Sequence, residues 1–222
     1  MSIKIDWELP GVEIEKRSFD IIEQEYRGKE FSEEEWPVVR RVIHSTADLE
    51  IGELFRFGNS PIAAILNALE DGCSIYSDSN MIKSGLSKVK LGKINPIYKN
   101  RETLCLVSDP RVVKLAEERR CSRSYASLEL AKETIDDGIV LIGNAPLALA
   151  GIVRMVQNGE VKPRVIIGMP VGFVHVVESK EMLYSTDIPF ISIKGRRGGS
   201  PLAVAAFHAV LEKPLRELEK LG

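Results

Sequence analysis

Residues 136–159 read DDGIVLIGNAPLALAGIVRMVQNG, and the reading of this stretch decides the fold. Gly138 suits the left-handed conformation that ends a helix. Residues 139–142 (Ile, Val, Leu, Ile) are wholly apolar and mostly β-branched, as expected of a strand buried on both faces. Gly143-Asn144-Ala145 breaks the run, and Pro146 fits the first turn of a helix, where its missing N–H costs nothing. Residues 147–156 are apolar with small side chains, and Asn158-Gly159 closes them. The unit is strand, tight loop, buried helix. In an open α/β sheet, ligands bind beyond the carboxyl ends of the strands. Gly143, Asn144 and Ala145 are therefore either a pocket wall whose helix N–H groups face an anion, or an ordinary connecting turn.

The same alternation extends outward. Residues 73–76 and 104–108 read as strands upstream, and 164–169 and 190–193 downstream, each bounded by turn or capping residues. Asp109-Pro110 opens one helix, Ser124 is a candidate cap for the next, and Ser200-Pro201 starts a final alanine-rich helix. The economical architecture is α/β: a mainly parallel sheet of about five strands with helices on both faces. The helical N-terminal third packs on that sheet, so residues 1–222 form a single domain. Residues 88–101 carry scattered basic side chains, Gly92 and Pro96 without clean periodicity, and read as a mobile excursion, a lid or a partner contact.

Composition narrows the function classes. With 222 residues the chain can bury a substantial core. Lys plus Arg is 30 against 32 Asp plus Glu, a formal charge of −2, so no global field favours nucleic acid or an anionic membrane. An acidic ligand must be held by local clusters. No apolar run has the length of a transmembrane helix, and the first residues lack the apolar core of a signal peptide. Cys73, Cys105 and Cys121 are odd in number and show no CxxC spacing, which points to a reducing cytoplasm.

Local clusters do occur. Arg40 and Arg41 stand four and three residues before His44, so all three project to one side of a helix. Asp48 would orient the imidazole if that helix continued so far; otherwise His44 is a capping or surface residue. His175 and His208 are distant and form no compact metal-ligand motif with it. Arg17 beside Ser18 is either an anion contact at a helix start or a solvated arginine next to a plain cap. Asp78 lies in a polar turn after a strand, again on the rim of the sheet, and Arg123 lies in the turn 121–124. Residues 194–201, KGRRGGSP, are either a cradle for phosphate or carboxylate or a flexible basic turn. They match neither GxxxxGK[ST] nor GxGxxG.

In this order the blocks RVIHSTAD (41–48), GNAP (143–146), PVGFV (170–174), ESKE (178–181) and GRRGGS (195–200) resemble the precorrin-8X methylmutase (precorrin isomerase) family, over almost the whole chain. That resemblance implies an α/β homodimer that moves a methyl group between adjacent carbons of ring C of a corrin precursor, in cobalamin biosynthesis. It implies His44 as the essential histidine, acting as general acid, and Arg17, Arg123 and Arg196 as clamps on the substrate carboxylates. Ser18, Arg41, Ser45 and Asp78 would join them, as would Gly143, Asn144, Ala145, Lys180 and Gly198. Ser45 stands where the family often has threonine, which keeps the hydroxyl. A methyl migration within a conjugated ring needs no redox cofactor and no protein-bound metal. Two other classes remain: a non-catalytic tetrapyrrole carrier, and a phosphate-ester enzyme using the 195–200 loop.

Overall fold

The computed structural model describes residues 5–221. Its elements run α1 (Gly11–Glu25), α2 (Trp36–Thr46), β1 (Phe55–Gly58), α3 (Pro61–Glu70), β2 (Ile75–Ser77), α4 (Asn80–Gly85) and α5 (Lys88–Ile94). They continue with α6 (Pro110–Arg119), α7 (Arg123–Ile135), β3 (Ile139–Ile142), α8 (Pro146–Gln157), β4 (Val165–Gly168), α9 (Val176–Tyr184), β5 (Phe190–Ile193), α10 (Ser200–Val210) and α11 (Glu212–Leu221). The sheet order is β1-β5-β4-β3-β2. Strands β2 to β5 are parallel, whereas β1 runs antiparallel to β5 with Phe55 opposite Ile193.

Every residue of β3, β4 and β5 is buried, and their side chains sort by the two-residue period of a strand. Ile139, Leu141, Val165, Ile167, Ile191 and Ile193 face one apolar layer, shared with Val39 and Val42 of α2, Ile65 of α3 and Phe207 of α10. Val140, Ile142, Ile166 and Phe190 face the other, with Leu128 of α7, Leu149 and Ile152 of α8 and Leu183 of α9. A continuous apolar run is what a strand covered on both faces requires.

Five strands form, but not the expected five. Residues 104–108 make no strand: Leu104 alone bridges to Tyr76, giving its N–H to Ile75 O (2.8 Å) and accepting from Ser77 N–H (2.9 Å). Asp109 then caps α6, so the chain leaves the edge after one residue. The fifth strand is β1, a half-polar FRFG segment at the opposite edge. Residues 88–101 are not an excursion either. Leu91 and Tyr98 are buried, the Tyr98 hydroxyl donates to Cys73 O (2.7 Å), and the Asn95 amide closes the end of α3 by donating to Glu70 O (2.8 Å). Helix α5 has only seven residues, too few for a legible period. Ser18 lies inside α1 rather than at its start, and the cap of α7 is Ser122, not Ser124.

One glycine fixes how the strand ends meet. A Cβ on Gly143 would fall 2.6 Å from the Ser200 Cα and 2.7 Å from its nitrogen, a collision of backbone with backbone. Only glycine lets the end of β3 touch the start of α10.

Candidate active site

The carboxyl ends of β2, β3, β4 and β5 lie on one rim of the sheet, and its first occupant is an internal anion. Asp78, 2% exposed, follows β2 and accepts the N–H groups of Gly143 (3.0 Å), Asn144 (2.8 Å) and Ala145 (2.6 Å). The free amides expected at the start of α8 are thus filled by the chain's own carboxylate, not offered to a ligand. Burial raises the Asp78 pKa, and the three amide donors oppose that rise. Asp78, Gly143, Asn144 and Ala145 therefore build the rim as a unit, with Ser79 and Ser200 hydroxyls joined beside them at 2.8 Å.

The basic glycine loop is equally well fixed. Gly195 and Gly199 take positive φ angles, +78° and +131°, and Gly199 N–H donates to Met169 O at 2.8 Å. A Cβ on Gly198 would lie 2.3 Å from the same oxygen. Lys180 sits beneath this loop, not on the rim: it is 1% exposed, and its Nζ donates to Gly195 O (2.8 Å) and Arg197 O (2.7 Å). Burial pushes its ammonium pKa down to about 8. Arg196 is exposed, with its guanidinium over the Phe173 ring at 5.5 Å. Arg197 pairs with Asp48 at 2.7 Å.

That ion pair ties the loop to the segment after α2, which carries His44. Helix α2 stops at Thr46, and Ala47 turns into the left-handed region (φ 52°), so Asp48 is not on the imidazole's face. Asp48 instead caps the next turn, accepting from Glu50 N–H at 3.0 Å. His44 is half-buried and meets the Phe19 ring edge-on, 5.4 Å between centroids at 68°. The same ring carries the guanidinium carbons of Arg40 (4.3 Å) and Arg41 (4.7 Å). Their charges are balanced, because Arg40 binds Glu23 at 2.6 Å and Arg41 binds both Glu15 and Glu212. The Arg41 Nε to Glu212 distance is 2.7 Å. Arg41, read as a substrate contact, is thus a clasp between α1, α2 and α11. The Glu15 carboxyl is held below its ordinary range, chiefly by its bond to Arg41. Residues 14–19 (IEKRSF) open the stretch that resembles the family, yet nothing in the sequence gives Glu15, Phe19 or Glu212 a role beside His44, and Phe19 reads only as one apolar position of a helix.

The remaining expected residues make local contacts or lie exposed. Arg17 is exposed and pairs with Glu13 one turn back (3.0 Å). Ser18 is half-buried next to Phe19, and the Ser45 hydroxyl donates to Arg41 O (2.8 Å) within its own helix. Arg123 is the exposed first residue of α7, at the end of that helix nearest the rim, since α7 runs back antiparallel to β3. Between these polar groups each crossover leaves an apolar side chain in the open: Met81 after β2, Leu147 after β3, and Val171, Phe173 and Val174 after β4. Such an edge suits a ligand with an apolar body and acidic margins.

A family model described as precorrin-8X methylmutase matches residues 13–213. A cobalt-precorrin-8 methylmutase of Methanocaldococcus jannaschii is 38% identical over 207 residues, covering 90% of this chain and 93% of that one. A precorrin-8X methylmutase of a Sinorhizobium species is 37% identical over 92% of this chain and 96% of its own. Among solved structures, a precorrin-8X methylmutase of Thermus thermophilus superposes with a TM-score of 0.83 at 39% identity, covering 93% of this chain and 98% of that chain. These matches define the class, an α/β isomerase that transfers a methyl group within its substrate. The chain belongs to the precorrin-8X methylmutase family, whose members act in cobalamin biosynthesis.

Proposed function

We propose that this chain binds a corrin precursor, precorrin-8X or its cobalt complex, along the rim and moves a methyl group between adjacent carbons of ring C, giving hydrogenobyrinate or cobyrinate. The observation that carries this is the set of exposed apolar side chains after β2, β3 and β4, with Arg196 over Phe173 and a half-buried imidazole four residues before the Asp48 that pairs with the same loop. One carbon–carbon bond breaks and one forms, so electrons balance without an external oxidant. His44 donates a proton or hydrogen bond to a ring nitrogen as the methyl leaves, and recovers it once the new bond is made. An imidazole is the side chain best suited to that exchange near neutrality. General acid catalysis contributes roughly two to four factors of ten, each worth about 1.4 kcal/mol of barrier. Holding the macrocycle in one geometry contributes the remainder. Arg17, Arg123 and Arg196 take the peripheral carboxylates.

His44→Ala and His44→Gln are expected to keep the fold and product affinity while turnover falls by about 10²- to 10⁴-fold. Near-normal rates in both variants, assayed anaerobically with metal-free and cobalt-containing precursor, would remove His44 from the mechanism. The same proposal includes a symmetric homodimer in the cytoplasm. Exposed Val12, Ile14 and Ile21 on α1 support a partner surface, and three free cysteines suit a reducing compartment. Sedimentation as a fully active monomer at working concentration would contradict the dimer.

A further inference from the structure

We propose that Lys180 is a positioning residue. Its buried ammonium fixes the loop 195–199 so that Arg196 is presented at the rim to a ligand carboxylate, without itself touching the ligand. The inference rests on the reading that the rim receives a polycarboxylate.

Lys180 comes from α9, which follows β4, whereas the loop follows β5; the ammonium is thus a bolt between two neighbouring crossovers. Its two bonds go to the carbonyls of Gly195 and Arg197, the residues on either side of Arg196. With both flanking carbonyls turned inward, the residue between them is displayed outward, and Arg196 is exposed. The Arg196 carbonyl takes a third tie, from Gly172 N–H at 3.2 Å, which joins the Phe173 segment to the same loop. No carboxylate pairs with Lys180 among the described residues, and its low pKa traces to burial alone. An interior ammonium is a costly way to hold two carbonyls. Two of its three N–H donors go to loop carbonyls, and its near-complete burial keeps the ammonium beneath the loop rather than at the rim. What the cation adds is a further fixed point, beside the ties of Gly199 to Met169, of Arg196 to Gly172 and of Arg197 to Asp48, at the two residues that flank Arg196.

The test uses the full chain, with Lys180→Met and Lys180→Gln, hydrogenobyrinate as the titrated product, and amide hydrogen exchange read peptide by peptide. Lys180→Met is expected to weaken product binding and raise KM by about tenfold or more, as for a lost charge-assisted contact, while kcat at saturation stays within about threefold. Exchange of residues 194–201 should rise by about tenfold or more, with β3 and β4 unchanged. Lys180→Gln, which keeps amide donors on a shorter arm, should fall between, and carries the test if the methionine variant does not fold. Weakened binding with unchanged exchange at 194–201 would mean direct ligand contact and overturn the proposal. A uniform rise in exchange with a lower Tm would mean a merely structural role and overturn it too, as would no change in either. Failure of the unaltered protein to bind the product is a separate result: it sinks the ligand reading, whereas loop exchange in the variants still decides whether Lys180 fixes the loop.

Discussion

Replacing Asp78 separates architecture from ligand contact at the rim. Its carboxylate accepts three backbone N–H groups at 3.0, 2.8 and 2.6 Å in a site only 2% exposed. A hydrogen bond to a charged group contributes about 1.5–3 kcal/mol, so the gross interaction is several kcal/mol, offset by the cost of burying the charge. Asp78→Ala strands all three donors, and the net loss should be about 3–5 kcal/mol. Asp78→Asn keeps the shape. Its oxygen can serve Asn144 and Ala145, which share one carboxylate oxygen, but its NH₂ then confronts the Gly143 N–H. One bond is lost and one donor stranded, against a smaller burial cost, for a net of about 2 kcal/mol. In a chain of this size each kcal/mol moves Tm by about 2–4 °C, giving drops of roughly 4–8 °C for asparagine and 6–20 °C for alanine. Urea and thermal unfolding followed by circular dichroism measure both. Losses below about 0.5 kcal/mol, typical of a surface change, would refute the claim that this carboxylate holds the start of α8. Equal losses for the two variants would refute the donor-by-donor reasoning.

Two further predictions concern the helices around His44. Arg41→Ala leaves the Glu212 side chain, 11% exposed, with Arg216 at 3.5 Å as its remaining ion-pair partner among the described residues, and should cost about 2–4 kcal/mol in urea unfolding, while Arg41→Lys, lacking the planar fork, recovers only part. A loss under about 0.5 kcal/mol would show that the clasp does not hold α1, α2 and α11 together. His208 accepts the Ser87 N–H at 3.1 Å, and burial, with Lys90 and Arg41 nearby, pushes its pKa down from 6.5 to about 4. The unfolded chain takes up this proton first, so folded-state stability is present above pH 6.5 and is lost as pH falls toward 4. Allowing for partial exposure, the loss is on the order of 1–2 kcal/mol. His208→Gln should flatten that part of a Tm-against-pH curve, and an unchanged slope between those limits would remove His208 as its source.

The parts legible in the sequence are those where one local rule acts alone. Residues 139–142, 165–168 and 190–193 announce themselves because a strand covered on both faces must be apolar throughout. The antiparallel strand β1 is invisible for the opposite reason: an edge strand has one solvated side, and Arg56 in FRFG breaks any apolar run. Residues 104–108 have the right composition but no room, since Asp109 and Pro110 start a helix directly after them. At the site, the positions of Asp78 and the loop 195–199 on one rim follow from the alternation of strands and helices. That Asp78 fills the amides of residues 143–145 does not follow from it, because 65 residues separate Asp78 from Gly143. Lys180 reads in sequence like any surface lysine. Only the packed fold shows its ammonium beneath the loop.

The antiparallel pairing of β1 with β5 also sets the order of assembly. Phe55 waits for Ile193, and α2 packs along α10, so the segment bearing His44 finds its seat only after the last strand and helix exist. Contacts so distant along the chain close slowly, because loop entropy must be overcome before they stabilise anything. During synthesis the parallel core of β2, β3 and β4 has all its strands before β1 has a partner. A nascent chain that has not yet reached β5 can bring Phe19 against His44 but lacks the α10 face on which the helix of that histidine packs.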